Sequence, residues 1–119
     1  DLPLTAREYS EWGDPRDAVG LKNMLVWAPY ENISSQAYPA TLISIGGRDP
    51  IVPFWEGLKW GIKVRAHQTG TAPIVIKLNP AADHSASVGE DAALKERALQ
   101  YAFISKYLEV SAPSPLPHG

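Results

Sequence analysis

Two side chains capable of acid–base chemistry each follow an apolar segment of the chain. Asp49 follows the apolar run at residues 41–45, which Gly46-Gly47 interrupts and Pro50 closes. His84 follows a second, β-branched run at residues 74–78. Adjacent parallel strands joined by a crossover helix would bring both loops to one edge of a sheet. There a carboxylate accepts the ring N–H of a histidine, fixes its tautomer and stabilises the imidazolium formed when the histidine acts as a base.

Simpler interpretations of both residues stay open at this point. Gly-Gly-Arg-Asp-Pro at residues 46–50 is also good turn chemistry, and His84 is equally compatible with a loop histidine that hydrogen-bonds locally. Asp49, Asp83 and His84 offer metal ligands, but their spacing matches no metal-binding pattern, so we expect no metal and no cofactor. The order acid then histidine is that of α/β-hydrolases, in which both follow a serine in Gly-x-Ser-x-Gly; that motif does not occur here.

The elements that would position these residues alternate between helix and strand. Asp14 followed by Pro15 predicts an N-cap and the first helical residue, with the helix running to about Trp27. A second helix is predicted from Pro53 to about Gln68, and a third from about Glu90 to Leu108. Alternating helices and strands predict a parallel sheet, and two parallel strands need neighbours and helices on both faces. The sequence therefore predicts an α/β fold that is the C-terminal half of a doubly wound domain, incomplete on its own.

The amino-acid composition excludes several kinds of protein. The 119 residues are 45% hydrophobic and 20% charged, with a formal net charge of -2, which favours one globular unit and gives no electrostatic footprint for nucleic acid. No apolar run is long enough to span a bilayer, and without cysteines there is no disulfide or thiolate chemistry. The first residues lack the basic start and apolar stretch of a signal peptide. We therefore expect a cytoplasmic protein, with the periplasm as the alternative, and a start at Asp1 rather than Met indicates a processed or truncated chain.

Particular segments of the chain resemble the prolyl oligopeptidase family of serine peptidases, and within it most closely the oligopeptidase B group. The matching segments are residues 3–5, 8–15, 28–32, 36–39, 46–50, 55–56, 59–60 and 101–103. The segments Glu-Tyr-Ser-Glu-Trp-Gly at 8–13 and Trp-Glu-Gly-Leu-Lys-Trp at 55–60 are fairly specific to oligopeptidase B. The likeness extends to about Leu108.

The resemblance implies a fold, an activity and a partner. Residues 1–110 would be the C-terminal part of an α/β-hydrolase peptidase domain, and residues 111–119 a flexible proline-rich tail. Asp49 and His84 fall on the catalytic aspartate and histidine of the family. The nucleophilic serine and a β-propeller cap would lie on an upstream segment or separate chain. The assembly would be a serine oligopeptidase that cuts short peptides on the carboxyl side of Arg or Lys.

Two departures from the family pattern bear on substrate choice. Members with a strict basic preference carry carboxylates at the positions of Glu8 and Ser10, so Ser10 removes one arm of a bidentate grip on guanidinium. Related enzymes often have Arg two positions after the aspartate, where this chain has Ile51. We expect Glu8 and Ser10 to contact the substrate, with a relaxed preference for basic residues.

Two other functions remain as alternatives. The change at Ser10 motivates a related α/β-hydrolase, either an acylaminoacyl peptidase or an esterase. The absent serine motivates a catalytically degenerate domain that serves in binding. So does the loop around His84, which reads Asp-His-Ser-Ala at residues 83–86 where the family usually has Gly-His-Gly-Gly.

Overall fold

The computed structural model describes residues 7–84 and 89–108. Its elements, in chain order, are helix α1 (Tyr9–Trp12), helix α2 (Ala18–Trp27), strand β1 (Thr41–Gly46), helix α3 (Phe54–Ala66), strand β2 (Ile74–Asn79) and helix α4 (Glu90–Tyr107). The predicted tail at residues 111–119 lies outside the described residues.

The two strands form a parallel pair with α3 as the crossover between them. Thr41 lies opposite Ile74 at one end of the pair, and Gly46 lies opposite Asn79 at the other. The β-branched composition of both strands suits this extended pairing. The loops that carry Asp49 and His84 therefore leave the sheet side by side.

Helix α3 packs closely on one face of this sheet. A Cβ at Gly61 would lie 2.8 Å from Ile43 Cδ1 and 2.9 Å from Ile76 Cδ1, so the missing side chain lets the helix approach the strands. Val64 of α3 is buried, as are Ile45 and Ile74 of the strands. Val75, which points to the opposite face, stays 38% exposed. The hydrophobic core of the described residues thus lies between α3 and the sheet.

The side chain of Gln68 links the segment before β1 with the residues after α3 through four hydrogen bonds. Its Oε1 accepts from the backbone N–H groups of Tyr38 and Gly70, at 2.8 and 3.0 Å. Its Nε2 donates to the carbonyls of Tyr38 and Ala72, at 2.9 Å each. All four hydrogen-bonding positions of the amide are used, so the segment before β1 is held against the residues that follow α3.

The start of α2 differs from the prediction. The helix begins at Ala18, and the capping residue is Asp17, whose carboxylate accepts from the Gly20 N–H at 2.7 Å. Asp14 instead binds Arg16, accepting from Nε at 2.9 Å and from Nη2 at 2.7 Å. The prediction of Asp14 as the cap was wrong because a guanidinium two residues away competes for the carboxylate.

Helices α2 and α4 leave much of their apolar surface exposed. Val19 and Val26 of α2 and Leu94 and Tyr101 of α4 are each more than half exposed. Within residues 7–84 and 89–108, however, no helix combines the length and the apolar character needed to cross a membrane.

Candidate active site

Asp49 and His84 meet where the two strands end. His84 Nδ1 lies 2.8 Å from Asp49 Oδ2. A carboxylate only accepts hydrogen bonds, so the ring nitrogen that faces it carries the hydrogen. This places the free lone pair of the neutral ring on Nε2, the position required of a general base. The His84 side chain is 47% exposed and the Asp49 side chain 12%, so the imidazole is accessible while the carboxylate is sheltered.

The Asp49 carboxylate is held by its own loop. Its Oδ1 accepts from the backbone N–H groups of Ile51 and Val52, both at 2.8 Å, which leaves Oδ2 for His84. Withdrawal from water is the largest single influence on its pKa and opposes ionisation. The hydrogen bonds from the Val52 amide, the His84 ring and the Ile51 amide together outweigh it, so the pKa of Asp49 is lowered.

Gly46 and Gly47 let the two loops touch. A Cβ at Gly46 would lie 2.5 Å from the Asp83 carbonyl oxygen, and one at Gly47 would lie 2.8 Å from Pro80 Cα. The Arg48 N–H donates to the Ala82 carbonyl at 2.9 Å, so backbone hydrogen bonds join the loops as well. Gly46 and Gly47, which interrupt the first apolar run, therefore leave the space in which the His84 loop lies.

A cavity of about 500 Å³ opens beside the Asp49–His84 pair. Residues of α4 form one of its walls; they are Ala93, Glu96, Arg97 and Gln100. Sequence reasoning missed them because they lie on a helix with no motif of its own. Within the described ranges, no three His, Cys, Asp or Glu side chains are grouped so as to hold a metal ion.

Glu8 lies at a different cavity, of about 320 Å³. Trp12 and Trp27 form part of its wall, with ring centroids 5.9 Å apart. Ser10 is exposed and does not line this cavity, and neither Glu8 nor Ser10 lines the cavity beside Asp49 and His84. The structure thus brings Asp49 and His84 together, and leaves Glu8 and Ser10 apart from them.

Known proteins are similar to this chain in sequence. The model of the prolyl oligopeptidase family matches residues 1–111. Protease 2 from Moraxella lacunata is 40% identical over 111 residues, which cover 93% of this chain and 16% of that protein. Dipeptidyl aminopeptidase BI from Pseudoxanthomonas mexicana is 35% identical over 111 residues, covering 93% of this chain and 15% of that protein. The chain thus spans about a sixth of the length of the curated relatives it matches.

A solved structure shares the fold. Oligopeptidase B from Trypanosoma brucei, in a closed form with covalently bound antipain, superposes with a TM-score of 0.89 at 32% sequence identity. The match covers 96% of this chain and 16% of that one. The predicted α/β fold, part of an α/β-hydrolase domain, is confirmed by this likeness. On both its sequence and its fold, this chain belongs to the prolyl oligopeptidase family, a family of peptidases.

Proposed function

We propose that this chain supplies the acid and the base of a serine oligopeptidase. The observation that carries the proposal is the 2.8 Å contact between His84 Nδ1 and Asp49 Oδ2 at the ends of adjacent parallel strands. In the proposed mechanism, His84 Nε2 takes the proton of a serine hydroxyl as the oxygen attacks the scissile carbonyl. Asp49 holds the ring in the required tautomer and stabilises the imidazolium. His84 then returns the proton to the leaving amine.

The serine belongs to a segment other than these residues. The chain has no Gly-x-Ser-x-Gly and spans only about a sixth of its relatives' length. We therefore propose an upstream segment, or a separate chain, that carries the nucleophile and the β-propeller implied by the family resemblance.

The proposed substrate is a short peptide cleaved after Arg or Lys, with a relaxed preference. Glu8 lines a cavity whose aromatic walls suit the aliphatic part and the charge of a long cationic side chain. Ser10 supplies no second carboxylate, so the grip on guanidinium is weaker than a bidentate one.

The proposed mechanism is tested in the complete assembly with a fluorophosphonate label and with peptides that differ in the residue before the cleaved bond. We expect the label to attach to a serine upstream, and antipain, the ligand of the T. brucei neighbour, to compete with it. Asp49→Asn should lower kcat by roughly 10³- to 10⁴-fold, because an amide favours the wrong histidine tautomer. Asp17→Asn is the matched control, since Asn caps a helix as well as Asp does, and its kcat should not change.

The specificity is tested in the same assembly by Glu8→Gln. Loss of the charge should reduce the preference for Arg over Ala by roughly 10- to 100-fold in kcat/KM, since hydrogen bonds to charged groups contribute about 1.5–3 kcal/mol. Glu11→Gln is the control, because Glu11 is exposed and outside the lining of the cavity. Equal wild-type turnover after basic and apolar residues would overturn the basic preference, and cleavage confined to peptides with an acylated amino terminus would favour an acylaminoacyl peptidase. Preferential turnover of acyl esters would favour an esterase, and an assembly that is never labelled would favour a binding domain.

One relative motivates a second candidate, the removal of dipeptides from a free amino terminus. That relative is the 35% identical protein named dipeptidyl aminopeptidase BI. Peptides with free and with acetylated amino termini separate the two activities. An endo-acting oligopeptidase cleaves both, whereas a dipeptidyl aminopeptidase cleaves only the free form.

A further inference from the structure

Asn79, the last residue of β2, touches each of the three segments that surround the Asp49–His84 pair. Its carbonyl accepts from the Gly47 N–H of the Asp49 loop, at 2.8 Å, and from the Ala82 N–H of the His84 loop, at 3.2 Å. Its side-chain Oδ1 accepts from the Ala81 N–H at 3.1 Å. Its Nδ2 lies 3.5 Å from Glu96 Oε2 of α4.

The side-chain contact with Ala81 shapes the loop that leads to His84. An Asn side chain that accepts from the N–H two residues later closes a tight turn without help from the rest of the fold. That turn determines the direction in which the chain leaves β2 and crosses the glycines at the end of β1. A loop without it can shift His84 Nδ1 away from Asp49 while both loops remain present.

We propose that Asn79 is a positioning residue, whose side-chain oxygen holds the His84 loop so that the ring of His84 meets Asp49. The inference rests on the proposed function only for its effect on turnover. Its geometric part concerns the His84–Asp49 hydrogen bond itself. Asn79 acts through the loop and does not touch the reacting atoms.

Three variants of the complete assembly test it. Asn79→Leu removes the oxygen and the amide at similar volume. Asn79→Asp, made together with Glu96→Gln so that two carboxylates do not face each other, keeps an oxygen acceptor for the Ala81 N–H. Asn32→Leu is the matched control, because the Asn32 side chain donates to the Leu25 and Ala28 carbonyls at the end of α2, away from the pair. Asn79→Ala replaces Asn79→Leu if the latter does not fold.

Two measurements are made on each variant. The first is kcat and KM for a basic peptide. The second is the proton NMR signal of the His84 Nδ1–H in histidine-labelled protein, assigned by its loss in His84→Gln. We expect Asn79→Leu to lower kcat by roughly 10- to 100-fold with KM within about twofold, because a small misplacement of a catalytic group has effects of this size. The Nδ1–H signal should also broaden or vanish, while Asn79→Asp should restore both properties.

The outcomes separate this inference from the proposed function. A normal kcat and a normal Nδ1–H signal in Asn79→Leu would overturn it, as would equal losses in Asn32→Leu. Failure of Asn79→Asp to restore the signal would also overturn it. If the wild-type assembly cleaves no peptide, the proposed function fails. In that case the Nδ1–H signal alone tests the role of Asn79.

Discussion

The two oxygens of the Asp49 carboxylate have different hydrogen-bond partners. One oxygen is bound by two N–H groups of its own loop, at Ile51 and Val52, and the other faces His84. A side chain held in this way has few other orientations, so its loop determines where the histidine ring must lie. The same three hydrogen bonds stabilise the charged form, which is the form that a histidine needs beside it.

The ionisation of Asp49 gives a prediction with a definite sign. Its folded pKa is lowered, so its contribution to stability is present above the unfolded value, near 3.8, and is lost as pH falls through the folded pKa. We therefore expect the Asp49–His84 contact to persist with Asp49 ionised throughout the weakly acidic range. A carbon NMR titration of the Asp49 carboxyl in the complete assembly should have its midpoint below 3.8.

The control for this titration is His84→Gln. Removing the imidazole takes away one of the groups that favour the ionised form, so the midpoint should rise relative to the wild type while the two backbone hydrogen bonds remain. A wild-type midpoint above the ordinary value for aspartate would show that desolvation prevails over these hydrogen bonds.

At the level of elements, the approach of α3 to the sheet depends on glycines on its inner face. The atoms nearest to a Cβ at Gly61 belong to Ile43 and Ile76, and those nearest to a Cβ at Gly57 belong to Ile45. The Gly61 contacts begin at 2.8 Å and the Gly57 contacts at 3.2 Å, so the two positions differ in how much room they leave. A methyl group should therefore be harder to accommodate at Gly61 than at Gly57 of the same helix.

Gly61→Ala should therefore weaken the packing of α3 on the sheet. Overpacking costs about 1–3 kcal/mol, and the higher helix propensity of Ala returns about 1 kcal/mol. We expect faster hydrogen exchange in the α3 amides of the complete assembly, equivalent to a net loss of up to about 2 kcal/mol. Gly57→Ala should leave exchange close to the wild-type rate. Equal protection in both variants would mean that the strands shift to accept the methyl group.

At the level of the whole molecule, apolar side chains on or beside α1, α2 and α4 are exposed to solvent in the part of the chain that the structure describes. Val26 is 75% exposed and Leu108 is 70% exposed, and the exposed aromatic residues include Trp12, Trp27 and Tyr101. Apolar patches of this kind mark surfaces that contact other protein. Since the chain spans about a sixth of its curated relatives, we interpret these surfaces as contacts to the remainder of such a protein.

The chain purified alone should consequently be inactive and prone to self-association. We expect no fluorophosphonate labelling, no peptide turnover, strong binding of a hydrophobic dye, and sedimentation heavier than a monomer. Co-expression with the upstream segment should restore labelling and reduce dye binding. Hydrolysis by the isolated chain would contradict the proposal that the nucleophile lies elsewhere.

Much of the fold and part of the site are predictable from local sequence. Apolar runs interrupted by Gly46-Gly47 and by Asn79-Pro80 mark the two strands and their ends, because strand ends and breakers depend on near neighbours. The spacing of Phe54, Leu58 and Ile62 predicts the crossover helix but not its buried face. Phe54 and Ile62 are 36% and 54% exposed, whereas Gly57 and Gly61 face the sheet. A parallel arrangement then brings Asp49 and His84 to one edge, so their proximity follows from the order of elements.

The tertiary structure decided two kinds of contact. In the first, several partners compete for one group, and in the second, segments far apart in the chain meet. Asp17 rather than Asp14 caps α2, because Arg16 occupies the Asp14 carboxylate. The contact of Asn79 with α4 and the aromatic cavity beside Glu8 join segments whose separation no local pattern encodes. Sequence by itself thus determined which elements form and which side chains end them. Only packing decided their partners, because the free energy of each hydrogen bond depends on every group that reaches the same place.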